Sequence, residues 1–232
     1  MKKRIALAAL ALLAGSAPVR ASIVDVTFIG TQTGGVADVP GLFGPPDSNI
    51  APGPFSITFR FDLSKGTTFP LPQGGTDVLG GTSFGTSSPS LGWSVTIDGK
   101  TVNVPDGSEQ AQLQVVAGAP SFLDVAVFGP SAALGQVNGA VFDFSSADGS
   151  LPATLNTNYD YLVKPGDGFS SDPFFIVFTS NGSGAGLNSG ISISEIKFSV
   201  EAPAATPGMG LSGLTGLAAL GLAARRWRRG AA

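Results

Sequence analysis

The stretch Phe55-Ser56-Ile57-Thr58-Phe59-Arg60-Phe61-Asp62 places a large apolar residue at every second position and a polar one between each pair. Successive side chains of a strand point to opposite faces, so this alternation describes a half-buried antiparallel strand with one face on a core and the other in water. The same period recurs on both sides of it. Towards the N-terminus, Ile23-Val24-Asp25-Val26-Thr27-Phe28-Ile29 reads as a first strand. A Gly- and Pro-rich loop, Gly30 to Pro54, separates the two, and its apolar residues keep no period. Towards the C-terminus a second Gly/Ser/Pro-rich loop, Gly66 to Pro89, leads to Trp93-Ser94-Val95-Thr96-Ile97 and Thr101-Val102-Asn103-Val104. These two flank Asp98-Gly99-Lys100, where the Asp-Gly pair predicts a tight hairpin because a primed turn needs positive φ.

Alternation continues through Gln112-Leu113-Gln114-Val115-Val116, Phe122 to Phe128 and Ala140 to Phe144. Phe174 to Phe178 is continuously apolar and reads as a central strand covered on both faces. In Ile191-Ser192-Ile193-Ser194-Glu195-Ile196-Lys197-Phe198-Ser199-Val200 the apolar set changes phase at Glu195, which predicts a bulge. Residues 22–201 carry no helical period and no internal repeat. Eight or nine short strands with turn signals between them predict an all-β domain, an antiparallel β-sandwich or jelly roll.

Composition removes whole classes of chemistry. The 232 residues include no cysteine and no histidine. Thiol catalysis, Ser/His/Asp triads, Cys-based metal sites and His-based transition-metal sites are therefore excluded within this chain. All sixteen acidic residues lie between Asp25 and Glu201, whereas eight of the thirteen Lys and Arg lie in the first twenty-one and last eight residues. Five cations (Arg60, Lys65, Lys100, Lys164 and Lys197) against sixteen carboxylates give residues 22–201 a net charge of −11, compared with −3 for the whole chain. Nucleic acid binders need clustered cations to neutralise phosphates, so that partner is excluded.

The remaining candidate sites are built from oxygen and aromatic groups. Asp143, Asp124, Glu109 and Glu195 lie on or near strands and are the carboxylates from which a glycosidase pair would be drawn. Asp160, Asp167 and Asp172, with Asp143 and Asp148-Gly149 as a second group, offer the oxygen ligands that calcium takes, without the spacing of an EF-hand. Asn156-Thr157-Asn158-Tyr159-Asp160-Tyr161 holds both tyrosines beside amides and a carboxylate, so Tyr159 and Tyr161 are the candidate aromatic platform for a carbohydrate. Trp93 opens a strand and is expected in the core. The run Ser180 to Gly186 leads into a strand rather than a helix, so it reads as a hairpin connection and not as a phosphate loop. Asn181-Gly182-Ser183 matches a glycosylation sequon in form.

The two ends read as processing segments. Residues 1–21 carry Lys2, Lys3 and Arg4, a short apolar run from Ile5 to Ala14, and small residues before Val19-Arg20-Ala21. This is the pattern of a secretory signal peptide, with Val19 and Ala21 at the cleavage site. After Glu201, residues 202–207 form a Pro/Ala linker and residues 208–224 are uncharged, at the lower limit of length for a transmembrane helix. Residues 225–232 hold Arg225, Arg226, Arg228 and Arg229, cations that stay on the cytoplasmic side of a span. The domain at 22–201 is therefore expected outside the cytoplasm, exported and membrane-anchored through its C-terminus.

Signal peptide, acidic Cys-free β domain, short Pro-containing motif, Gly/Ala/Leu-rich span and terminal Arg cluster together resemble the PEP-CTERM proteins of bacteria. Ile57-Thr58-Phe59-Arg60-Phe61-Asp62 adds a general likeness in the body. The resemblance implies a C-terminal sorting signal processed by an exosortase, a membrane-embedded transpeptidase, and an association with extracellular polysaccharide and biofilm matrix. It maps the recognition motif to Glu201, Pro203 and Pro207, the span to 208–224 and the topology stop to the four arginines. The name-giving Pro-Glu-Pro is absent; Glu201-Ala202-Pro203 and Thr206-Pro207-Gly208 stand nearest to it. The expected function is a non-enzymatic cell-envelope or matrix protein, released to the cell surface or beyond after processing. The alternatives are a carbohydrate-binding module, with or without calcium, and a carboxylate glycosidase.

Overall fold

A computed structural model of the chain describes residues 23–33, 37–38, 41–104, 109–131, 135–169, 174–178, 184–187 and 190–201. The expected leader (1–21), linker, span and Arg-rich tail (202–232) lie outside the described residues. Among the described residues no helix is long and apolar enough to cross a membrane.

The described chain is all-β, apart from one 3-10 turn at Thr82–Phe84. Its first eight strands are β1 (Ile23–Gln32), β2 (Ala37–Asp38), β3 (Ser48–Asn49), β4 (Gly53–Asp62), β5 (Thr67–Pro70), β6 (Gly75–Gly80), β7 (Ser90–Ile97) and β8 (Lys100–Val104). The rest are β9 (Gln110–Val116), β10 (Ser121–Ser131), β11 (Gly135–Ser146), β12 (Tyr159–Leu162), β13 (Gly168–Phe169), β14 (Phe174–Phe178), β15 (Gly184–Leu187) and β16 (Ile191–Val200). One sheet has the order β12-β16-β1-β4-β7-β8. The other runs β3-β2-β15-β14-β11-β10-β9-β6-β5, with β13 beside the far half of β11. All pairings are antiparallel.

The two sheets meet through the alternating apolar faces. In β4 the buried set is Phe55, Ile57, Phe59 and Phe61, as the period requires. Phe142 on β11 joins the layers: its ring centroid lies 4.7 Å from Phe28, 5.7 Å from Phe59 and 6.4 Å from Phe55 of the facing sheet. Phe59 in turn meets Trp93 at 6.3 Å, and Trp93 is buried. Each such ring pair adds about 0.5–1.5 kcal/mol beyond the area it buries.

The sequence period fails in informative places. The loops Gly30–Pro54 and Gly66–Pro89 contain four further short strands and the last residues of β1. Strands β2 and β3 have two residues each, too few to show a period of two, and all four residues of β5 are exposed, so they have no buried partner set to alternate with. The first loop is organised from within. The buried Asp38 carboxylate accepts the backbone N–H groups of Leu42, Phe43 and Gly44 at 2.8, 2.6 and 2.7 Å, and the resulting turn delivers Phe43 to the core.

The expected bulge is present. Pairing of β1 with β16 steps from Ile29↔Glu195 to Gly30↔Ile193, leaving Ser194 as the extra residue, so Ile193 and Ile196 are both buried. A Cβ on Gly30 would stand 1.9 Å from the Ser192 carbonyl oxygen, which only glycine avoids. The expected hairpin is also present. Asp98 and Gly99 have φ of 48° and 78°, the double positive φ of a type I′ turn, and Ile97 pairs Lys100. Phe174–Phe178 sits inside its sheet between β11 and β15. The run read as a hairpin connection into the strand at Ile191 instead contains the start of β15, which pairs with β14, while β16 lies in the other sheet.

Candidate functional site

The densest convergence of polar side chains lies where β11 leaves for β12. Strand β12 turns Tyr159 and Tyr161 inward, at alternate positions, with rings 6.4 Å apart and near parallel. Tyr161 is 2% exposed and packs edge-on against Phe144 at 5.8 Å, so it presents no ring face to solvent. Its hydroxyl donates to Asp167 Oδ2 at 2.6 Å and lies 2.9 Å from Ser146 Oγ. The Tyr159 hydroxyl donates to the Ser150 carbonyl. The two rings thus serve as posts for the connecting loops and do not form an open platform.

Around them, Asp148 accepts from Ser146 Oγ at 2.8 Å, from Ser150 N–H at 3.1 Å and from Lys164 Nζ at 2.6 Å. Lys164 Nζ also donates to Ser150 Oγ at 2.9 Å. Asp167 accepts from Lys164 N–H at 2.7 Å and Ala147 N–H at 3.0 Å. A serine beside a lysine invites comparison with Ser–Lys nucleophile pairs. Electrostatics point the other way. The Asp148 carboxylate raises the Lys164 amine and so keeps it protonated, whereas a base must give up its proton. Lys164, Ser150 and Ser146 hold the Asp148 carboxyl well below the usual carboxylate range. Burial, then the acceptor Asp167, pushes the Tyr161 hydroxyl up. Burial alone would raise Asp167, but donation from Tyr161, Lys164 and Ala147 brings it below its ordinary value. Every polarisation favours the bonded pairs, which is the behaviour of a clasp.

Of the expected calcium ligands, Asp167 is committed to this clasp. Asp160 points to the opposite face of β12, exposed and across from Lys197, and Asp172 lies outside the described residues. Asp148 turns into the clasp while Asp143 stands mid-strand on the outer face. Among the described residues no group of three or more acidic side chains is close enough to hold a metal.

The second concentration is a row across the outer face of the larger sheet. Register sets Asp77 of β6 opposite Gln114 of β9, Gln114 opposite Asp124 of β10, and Asp124 opposite Asp143 of β11. Phe69 of β5, 45% exposed, closes the row beside Asp77. Gln112 Nε2 donates to Asp77 at 3.2 Å. Burial, then repulsion from Asp143 and Asp77, pushes the Asp124 carboxyl up to about 6. Burial also raises Asp77, against the donors Gln112 and Gln114. Beside the row lies an open depression of about 610 Å³, lined among others by Gln73, Gln114, Pro120 and Phe122. Of the four carboxylates considered for hydrolysis, only Asp124 and Asp143 meet. They stand side by side on one face, whereas glycoside cleavage needs them facing each other across the bond. Glu109 precedes β9, and Glu195 pairs with Lys197 at 3.2 Å on the other sheet.

The third cluster marks the ends of the described body. Arg60 on β4 donates to Asp25 Oδ2 of β1 at 3.3 Å and to Glu201 Oε1. Glu201 N–H donates to the Ile23 carbonyl at 3.0 Å, so the first and last described residues sit side by side at one end of the smaller sheet. Asp25 Oδ1 is buried with no hydrogen-bond partner, and burial raises that carboxyl despite Arg60. Glu201 is the one residue of the expected sorting motif among those described; Pro203, Pro207, Val19, Ala21 and the four tail arginines lie outside them.

No sequence motif marks Asp77, Gln114, Ser146, Ser150 or Lys164 as site residues. The Gln112/Gln114 alternation signalled an outward polar face, but which strand stands opposite is a matter of register. Comparison with family models, with curated proteins and with solved structures gives no match for this chain.

Proposed function

We propose that the chain is an exported, non-enzymatic cell-envelope or extracellular-matrix protein, in which a β-sandwich is delivered through a PEP-CTERM-like C-terminal sorting segment. The observation that carries this reading is the closure of the fold between its two ends. Glu201 N–H bonds to the Ile23 carbonyl and Arg60 ties β1, β4 and Glu201 together, so the two ends of the described body meet at the points where the leader and the sorting segment are read. In this reading the first segment is a signal peptide cut after Ala21. The second holds the protein at a membrane through 208–224, with the arginines inside, until an exosortase-like enzyme processes it near Glu201, Pro203 and Pro207. The hydrogen bond from Lys164 to Asp148, which raises the amine, supports the non-enzymatic part, because it disfavours Lys164 as a base for the neighbouring Ser150.

The test is a fusion of residues 201–232 to a secreted reporter in a host that has the sorting enzyme. The fusion is expected to be membrane-held or cut; a reporter that stays fully soluble and uncut overturns the reading. A second reading, glycan binding, draws support from the Asp/Gln row and its open depression rather than from the tyrosines. It expects retention on a glycan array that Gln114→Ala or Phe122→Ala weakens, and no retention on any glycan would remove it.

A further inference from the structure

We infer that the open edge of the smaller sheet, strand β8, is a self-association surface at which two copies of this chain pair β8 against β8 in antiparallel fashion. Strand β8 lies within the β-sandwich, so this surface is independent of the sorting reading.

Edge strands expose unpaired N–H and C=O groups and are normally blunted by shortness, proline or charge. Among the described residues, four of the five edge strands are blunted. Strands β3 and β13 have two residues each, β5 ends in Pro70, and β12 has four residues with Asp160 among them. Strand β8, Lys-Thr-Val-Asn-Val, has five residues, no proline, and one charge, at its hairpin end. Among the described residues no strand pairs its far side.

The hairpin fixes which backbone groups are free. Ile97 and Lys100 flank a two-residue turn and form a hydrogen-bonded pair, so Val95↔Val102 and Trp93↔Val104 are bonded in their turn. Donation from Asp98 N–H to Pro54 O at 2.9 Å agrees, since even-numbered residues of β7 then bond towards β4. The N–H and C=O of Thr101 and Asn103 therefore aim away from β7, and both residues are exposed.

These groups are self-complementary. A two-fold axis through Val102 sets Thr101 against Asn103 of the second copy, and Asn103 against its Thr101, for four backbone hydrogen bonds. Val102, buried on the core face, then meets Val102 of the second copy as a non-hydrogen-bonded pair. Outside, the hydroxyl pair Thr96–Thr101 at 2.8 Å is extended by an amide. Each Lys100 falls opposite a Val104, about 13 Å along the strand from its counterpart, beyond the roughly 8 Å reach of charge at physiological salt. The contact is small, in the size class of transient interfaces.

The test uses the full-length chain in micelles. Sedimentation across a concentration series is expected to show a rise from monomer to dimer mass. Because the chain has no cysteine, Val102→Cys is expected to cross-link to itself on oxidation, while Thr58→Cys, on the outer face of an interior strand, is not. Thr101→Pro removes only an outward N–H and is expected to weaken association about tenfold or more. Should that variant misfold, Asn103→Lys at an exposed position gives the same readout. A monomer at every concentration with no cross-link at residue 102 overturns the inference, as does a dimer that survives both edge variants or a cross-link to a different protein.

Discussion

Asp124→Asn should stabilise the protein at neutral pH. Asp124 stands in a row of carboxylates, opposite Asp143, with Asp77 two strands away. The groups facing it from β9 and β11 are Gln112, Gln114, Val141, Asp143 and Ser145, none of them a cation. Burial and the two like charges raise its carboxyl from 3.8 to about 6. A raised acid is disfavoured in its charged form by folding. The penalty is absent below pH 3.8, grows as pH rises through about 6, and is complete above it, because the native state holds the proton that the unfolded chain releases. At roughly 1.4 kcal/mol per tenfold in proton affinity the full effect is at most about 3 kcal/mol. The carboxyl keeps contact with water, so screening reduces this to about 1–2 kcal/mol. For a body of this size that is a rise of about 3–6 °C in Tm at pH 7. Calorimetric melts of both proteins from pH 4 to 7.5 provide the assay, and their difference cancels the other titrating groups. The gap should be near zero at pH 4 and open towards pH 7. A variant that melts lower at pH 7, or a gap that does not change with pH, refutes the reasoning. Asp143→Asn relieves one of the two repulsions and should lower the Asp124 midpoint in a carboxyl NMR titration.

Phe142→Ala should cost about 3–5 kcal/mol, since its ring packs against Phe28, Phe55 and Phe59 of the facing sheet; urea unfolding measures it, and a loss under about 1 kcal/mol would mean that the layers collapse to fill the gap. Asp38→Ala leaves the N–H groups of Leu42, Phe43 and Gly44 without their acceptor, for a loss of about 2–4 kcal/mol and faster amide exchange at those three residues. Exchange rates equal to the parent's would place the loop's order elsewhere. Tyr161→Phe keeps the buried ring and removes one donor from Asp167, so the Asp167 carboxyl should titrate higher and stability fall by about 1–3 kcal/mol. An unchanged Asp167 titration would show that the backbone donors alone hold it.

Legibility followed the length of the period. β1, β4, β7 to β11 and β16 each present enough consecutive alternate residues for the buried face to be read, and the phase change at Glu195 and the Asp98-Gly99 turn were readable because each is a local event. The two-residue strands and the wholly exposed β5 were not, since a pattern needs repetition and a buried face to appear. Tyr159 and Tyr161 looked like a platform because aromatic and polar residues were adjacent in the chain. Alternation on a strand instead turned the tyrosines to the core and Asp160 to water.

By itself the sequence determined the class, the buried faces and the chemistry that is absent, because side-chain period and residue inventory are properties of the chain alone. The proposal of export and sorting segments at the two ends rests on sequence alone, outside the described residues. Only the tertiary structure decided which side chains meet. Asp77, Asp124 and Asp143 are brought into one row, and Ile23 beside Glu201, by strand register across separations of many residues. Register is set by the packing of two whole sheets, where a slip of one residue would turn every buried phenylalanine to water, and no local stretch contains that information.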